Sequence, residues 1–105
     1  MTKSKIQTII DNTSFSDDTL VVENNFLDVI NIIKNTFGFD TLTNITAKHN
    51  DKSIEIIYNL HSSEDNEDLT LLIHVSDKAD SIIQIFPFAR EFQDIISETF
   101  SVNFT

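Results

Sequence analysis

The sequence predicts an α+β domain of two layers, in which a mostly antiparallel sheet of about four strands packs against two or three helices. Apolar residues alternate with others from Ser53 to Leu60, which predicts a strand with one face on a core. Apolar residues recur at helical spacing in Phe26–Phe37 and again in Phe88–Phe100. Both periodicities occur within 105 residues, so we expect one domain covering residues 1–105.

The first half of the chain contains helical and strand signals separated by polar residues. A short helix is expected around Ile6–Ile10, a polar loop at residues 11–18 and a buried strand at Thr19–Glu23. Asn24 or Asn25 is expected to cap the helix Phe26–Phe37, in which Asp28, Asn31 and Lys34 face water. Gly38, the only glycine, follows where a helix C-cap favours positive φ.

The second half is predicted to contain a hairpin, a third strand and a last helix. The hairpin strands are Thr41–Ala47 and Ser53–Leu60, joined by the polar residues 48–52, and Leu69–Val75 follows an acidic connector at Ser62–Asp68. The last helix begins near Pro87, and its predicted core-facing residues are Phe88, Phe92, Ile95, Ile96 and Thr99. The predicted core combines Phe26, Ile30, Ile33, Ile54, Ile56, Tyr58 and Phe92.

The opposite face of the sheet is predicted to be partly apolar. On a strand, Ile57 and Leu72 have the parity opposite to the core residues, and Ile45 is assigned to the same face. Either the helices divide between the two faces, or a partner protein covers the second one.

Composition excludes several classes of partner. The net charge of −10, from 17 acidic residues against 7 Lys and Arg, repels nucleic acid and anionic membrane surfaces. The chain contains no cysteine, which excludes disulfides, thiolate catalysis and cysteine-bound clusters within it. No stretch approaches ~18 apolar residues. We therefore expect a soluble, cytoplasmic protein that binds no nucleic acid and does not insert directly into a membrane.

No catalytic, cofactor-binding or metal-binding residues are predicted. His49, His61 and His74 are spaced too widely for a known ligand motif, although His61 and His74 share a strand parity. The acidic run around Glu64 and Asp68 lacks the central glycine of a calcium loop. No nucleophile elbow, phosphate-binding glycine loop or H-E-x-x-H motif occurs.

The stretch Gly38–Leu60 resembles the signature region of the 30 kDa subunit family of respiratory complex I. That family shows a run of the form G-F-D-x-L-x-D-L-T-A-V-D and then an apolar strand ending in V-V-Y-H-L. The matching residues are Gly38, Phe39, Asp40, Leu42, Ile45, Thr46, Ala47 and Ile56–Leu60. Downstream, Leu69–Val75 fits the family's next strand and Ser81–Pro87 is similar to its S-L-T-D-I-W-P segment. The resemblance covers about residues 19–105.

The family's E-R-E triplet and D-L-F-G-I motif follow the proline and are degenerate in this chain. Aligned without a gap, the chain has Gln93-Asp94-Ile95 and then Glu98-Thr99-Phe100-Ser101-Val102. The apolar positions remain, whereas the charged triplet and the glycine are lost. A gapped alignment that matches Arg90-Glu91 displaces Phe100 and Val102, so the ungapped one is preferred.

The resemblance implies a cofactor-free structural subunit of a membrane-bound electron-transfer complex. The family includes short counterparts in energy-converting nickel–iron hydrogenases, and these subunits pack on the large catalytic subunit in the peripheral arm. We therefore predict docking through the C-terminal segment, together with the second face of the sheet. The predicted docking residues are Phe86, Pro87, Phe92, Gln93, Asp94, Glu98 and Phe100. The alternative is a free-standing acidic α+β module that binds proteins outside such a complex.

Overall fold

The computed structural model describes Ile6, residues 13–16 and residues 18–105. The helices are α1 (Phe26–Asn35) and α2 (Ala89–Phe100). The strands are β1 (Thr13–Ser16), β2 (Thr19–Val22), β3 (Thr41–Asn50), β4 (Ser53–Ser62), β5 (Glu67–Val75), β6 (Lys78–Ala79) and β7 (Asn103–Phe104). The helix expected around Ile6–Ile10 lies outside the described residues apart from Ile6, which is buried.

One five-stranded sheet, in the order β1-β2-β5-β4-β3, forms the main layer. All neighbouring strands are antiparallel except β2 and β5, which run parallel, and β6 and β7 form a separate parallel pair. This confirms the predicted two-layer α+β fold. The fifth strand is β1, which was expected to be loop. It forms because Phe15 pairs with the buried Leu20 and contributes apolar contact at this edge of the sheet.

The predicted register of β4 is confirmed. Ile54, Ile56, Tyr58 and Leu60 are buried, and the residues between them are half-buried on the second face. The hairpin strands are longer than predicted and leave only Asp51 and Lys52 as the turn, with Asp51 in the left-handed conformation.

Ile45 was assigned to the wrong face of the sheet. A register shift between Leu42 and Asn44 inserts one extra residue into β3, so Ile45 pairs with Tyr58 and not with Ile57. One extra residue inverts the parity of everything after it. Ile45 consequently lies in the core, with 4% of its surface exposed.

Helix α1 buries the predicted stripe against the sheet. Phe26, Val29, Ile30 and Ile33 are buried, and the Phe26 ring lies 4.8 Å from that of Tyr58. Asn25 precedes the helix in the left-handed conformation, and its side chain makes no capping bond. Lys34, predicted to face water, is half-buried because its ammonium donates to the Ile85 carbonyl at 2.9 Å.

Helix α2 is rotated about its axis relative to the prediction. Ala89, Gln93 and Ile96 are its buried residues, while Phe88 and Ile95 are 83% and 62% exposed. Of the other predicted core residues, Phe92 is half-buried and Thr99 is exposed. The amide of Gln93 explains the rotation. Its oxygen accepts the Ile82 amide hydrogen bond at 2.9 Å, and its nitrogen donates to the Ser81 hydroxyl at 2.9 Å.

Candidate docking surface

The predicted docking residues divide between the core and the surface. Phe86 and Gln93 are each 5% exposed, so they hold the fold together and offer a partner little surface. Phe92 and Phe100 are half-buried against the core. The exposed members of the set are Pro87, Asp94 and Glu98.

Helix α2 packs on the core side of the edge strand β3. The Phe100 ring lies 5.1 Å from that of His49, and His49 pairs with the buried Ile54. The second face of the sheet therefore lies on the other side of β3 from this helix. A partner that contacts both parts of the predicted surface has to extend around the β3 edge.

The second face of the sheet has an apolar row flanked by polar rows. The register aligns Val21, Leu72, Ile57 and Thr46 across four strands, which confirms that Ile57 and Leu72 lie on this face. The neighbouring row is tied by two short hydrogen bonds. Asn59 donates to Asn44 at 2.7 Å and accepts from the Thr70 hydroxyl at 2.8 Å.

Two of the three histidines lie on the second face, but at opposite ends of it. His74 is 3.4 Å from the Glu55 carboxylate, which also accepts from Asn50 at 2.7 Å. His61 is 2.7 Å from the Asp68 carboxylate. Within the described residues, no group of three or more His, Asp or Glu side chains is arranged to hold a metal ion.

The signature residues Gly38–Asp40 have structural roles that connect α1 to the β4–β5 hairpin. Gly38 has a φ of 77°, and its amide donates to the Lys34 carbonyl. Phe39 is buried in the core. Asp40 is exposed and accepts hydrogen bonds from the Ser63 amide at 3.1 Å and the Ser63 hydroxyl at 3.2 Å. The hydrogen bond from the Ser63 backbone amide is the main reason that the pKa of Asp40 lies below its usual value.

Among the described residues, Tyr58 has the one buried side-chain polar atom that makes no hydrogen bond. That atom is its hydroxyl oxygen. Burial raises the pKa of Tyr58 well above its usual value, and the charge of Asp80 adds to the effect.

A cleft of about 460 Å³ lies where β2 and β5 end and α1 begins. Charged residues of both signs line it, including Glu23, Lys78 and Asp80. The cleft is thus chemically mixed, and none of the predicted docking residues lines it.

The comparisons with known proteins agree with the signature. Residues 19–105 match the model of the family described as respiratory-chain NADH dehydrogenase, 30 kDa subunit. The chain belongs to this family. The family resemblance inferred from Gly38–Leu60 is therefore confirmed, and with it a relationship to a subunit of a respiratory complex.

A solved structure has the same fold. The chain superposes with a TM-score of 0.82 and 19% identity on a chain of the membrane-bound sulfane sulfur reductase, an archaeal respiratory membrane complex. The superposition covers 98% of this chain and 68% of the other one. Comparison with curated protein sequences gave no match. Among the described helices, none has the length and apolar character needed to cross a bilayer.

The buried and exposed sides of α2 differ from those expected from the sequence. The burial stripe runs through Ala89, Gln93, Ile96 and Phe100, which follow the spacing i, i+4, i+7 and i+11. The same helical spacing is present in the sequence, but a glutamine at one of its positions indicated an exposed side of the helix. Placing Gln93 inside turns Phe88 and Ile95 outward.

Proposed function

We propose that this chain is a cofactor-free structural subunit in the peripheral arm of a membrane-bound electron-transfer complex, of the energy-converting hydrogenase or NADH–quinone oxidoreductase type. In this role it docks on the large catalytic subunit and contributes no catalytic residue. The observation that carries the proposal is the family match across residues 19–105. The fold shared with a chain of an archaeal respiratory membrane complex supports it.

The chemistry of the chain is consistent with a supporting role. It has no cysteine for an iron–sulfur cluster. Its signature residues are explained by folding, since Gly38 takes the positive φ of the turn after α1, Phe39 fills the core and Asp40 binds the start of the loop after β4. The remaining exposed members of the predicted surface, Pro87, Asp94 and Glu98, are the part of that set that a partner can reach directly.

Co-expression tests the proposal. The chain is produced with the tagged large subunit of the hydrogenase-type or complex I-type assembly from the same genome, and the two are purified through the tag. We expect recovery at a 1:1 ratio, and no stoichiometric iron, nickel, zinc or flavin in the chain purified alone after chelator treatment. Failure to co-purify, or a stoichiometric metal in the isolated chain, would contradict it.

A free-standing acidic protein-binding module is the second candidate. It is favoured by the degenerate C-terminal motif, in which Gln93 replaces the first charged residue of the family's triplet and is buried. Native gel filtration of the source lysate distinguishes the two candidates. A subunit migrates with a large membrane-derived assembly, whereas a free module migrates near its own mass of 12.0 kDa.

A further inference from the structure

The two most exposed large apolar side chains of the described chain belong to Phe88, the N-cap residue of α2, and to Ile95 within that helix. Phe88 is 83% exposed and Ile95 is 62% exposed, and the third in order, Leu27, is only 37% exposed. The backbone of Phe88 is already in the right-handed helical region, and Phe88 is seven residues before Ile95, so the two lie within about 20° of each other around the helix axis. They form one stripe, two helical turns long.

In the isolated molecule, this stripe leaves apolar surface exposed to water and adds no side chain to the hydrophobic core. The helix already buries Ala89, Gln93 and Ile96, and the hydrogen bonds of Gln93 to Ile82 and Ser81 fix the rotation that exposes Phe88. Aromatic residues are frequent interface anchors, and Phe88 presents its ring at the start of a helix whose position is fixed by packing.

Acidic residues border the stripe on one side. Glu91, Asp94 and Glu98 are exposed, and Arg90 is the only cation on the helix. Within the part of the chain that the structure describes, these three carboxylates make no ion pair. They therefore add an unneutralised negative rim to an apolar centre, within a chain whose net charge is −10.

We propose that the stripe of Phe88 and Ile95 docks into an apolar groove with a Lys- or Arg-rich rim on the large subunit. The inference rests on the proposed function and specifies the chemistry of that contact. A second copy of this chain is a poor occupant, because it would bring an equal negative charge to the interface. Nucleic acid and anionic membranes are disfavoured for the same reason. A basic-rimmed protein groove matches both the apolar centre and the charge.

The apolar part of the proposal is tested by affinity. The double variant Phe88→Ala/Ile95→Ala is compared with wild type in binding to the immobilised large subunit, after thermal unfolding shows that both are folded. We expect binding to weaken at least about 30-fold, as for loss of interface anchors. The matched control is Leu27→Ala, which removes apolar surface from α1 and should bind within about twofold of wild type.

The charge part is tested by association rate. Asp94→Lys/Glu98→Lys should slow association about tenfold at low salt, and the difference should shrink at high salt because exposed charges are screened. Glu64→Lys/Asp65→Lys reverses the same number of exposed charges at the β4–β5 turn and should leave the rate within about threefold of wild type.

The outcomes separate this inference from the proposed function. Wild-type affinity in Phe88→Ala/Ile95→Ala, while wild type itself binds, overturns the inference and leaves the proposed function intact. Absence of binding by wild type overturns both. If sedimentation shows a wild-type dimer that the double variant lacks, the stripe is a self-association surface and the inference is wrong.

Discussion

Replacing Ser101 by glycine should stabilise the protein. Ser101 ends α2 with φ 58° and ψ 37°, in the left-handed region, and its amide donates to the Ser97 carbonyl at 3.0 Å. In the ungapped alignment with the family's D-L-F-G-I motif, this position corresponds to the glycine. A side chain in this conformation costs ~1–2 kcal/mol, whereas glycine adopts it freely. Glycine also loses more backbone entropy on folding, by roughly 0.5–1 kcal/mol. We expect Ser101→Gly to raise the free energy of unfolding by about 0.5–1 kcal/mol.

Urea unfolding measures this difference. The transition midpoint should rise while the slope stays constant, because the exposed Ser101 side chain contributes no described contact that would alter the folded state. Ser97→Gly is the matched control, since it makes the same chemical change at an exposed position inside the helix and should destabilise by about 0.5 kcal/mol.

Gly38→Ala provides the reciprocal control. Gly38 has a φ of 77°, and the nearest atom to an added Cβ is the Ser62 hydroxyl oxygen at 3.9 Å, so the substitution is strained without being crowded. It should destabilise by roughly 0.5–1 kcal/mol. If Ser101→Gly is destabilising to the same extent as Ser97→Gly, the argument from backbone conformation is wrong.

Three further substitutions test the buried and exposed polar groups. Gln93→Ala should lower the free energy of unfolding by about 2 kcal/mol in urea titration, because it leaves the buried Ile82 backbone amide without its hydrogen-bond acceptor. A loss below ~0.5 kcal/mol would contradict the stabilising role of the Gln93 side chain. Tyr58→Phe should be neutral or stabilising by up to ~1 kcal/mol, since the hydroxyl is buried without a partner. It should also reduce the loss of stability above ~pH 10, because the raised pKa of Tyr58 makes the unfolded chain release its proton first. Asp40→Asn should make the melting temperature fall less steeply on acidification below ~pH 4. The lowered pKa of Asp40 means that its charged form stabilises the fold and is lost as the pH falls. If the melting temperature of the variant falls with pH as steeply as that of wild type, the hydrogen bonds from Ser63 to Asp40 do not stabilise the fold.

Local patterns in the sequence determined the elements whose apolar periodicity is uninterrupted. Alternation along β4 is uninterrupted, so period two alone assigns its buried residues. The stripe of α1 is wholly apolar, so the helix and its start at Phe26 were predictable, although the helix ends at Asn35, two residues before the predicted end at Phe37. The motif Gly38–Leu60 was sufficient to indicate the family.

Tertiary structure decided the features that depend on groups distant in sequence. β1 is a strand because Phe15 meets Leu20, and Ile45 is in the core because a bulge shifts β3 against β4. Neither feature has a marker within its own segment. Gln93 is buried because Ile82 and Ser81 offer its amide two hydrogen bonds, and that pairing exposes Phe88 and Ile95. Apolar periodicity assigns a polar residue to the surface by default, and only the position of its hydrogen-bonding partners can bring it inside.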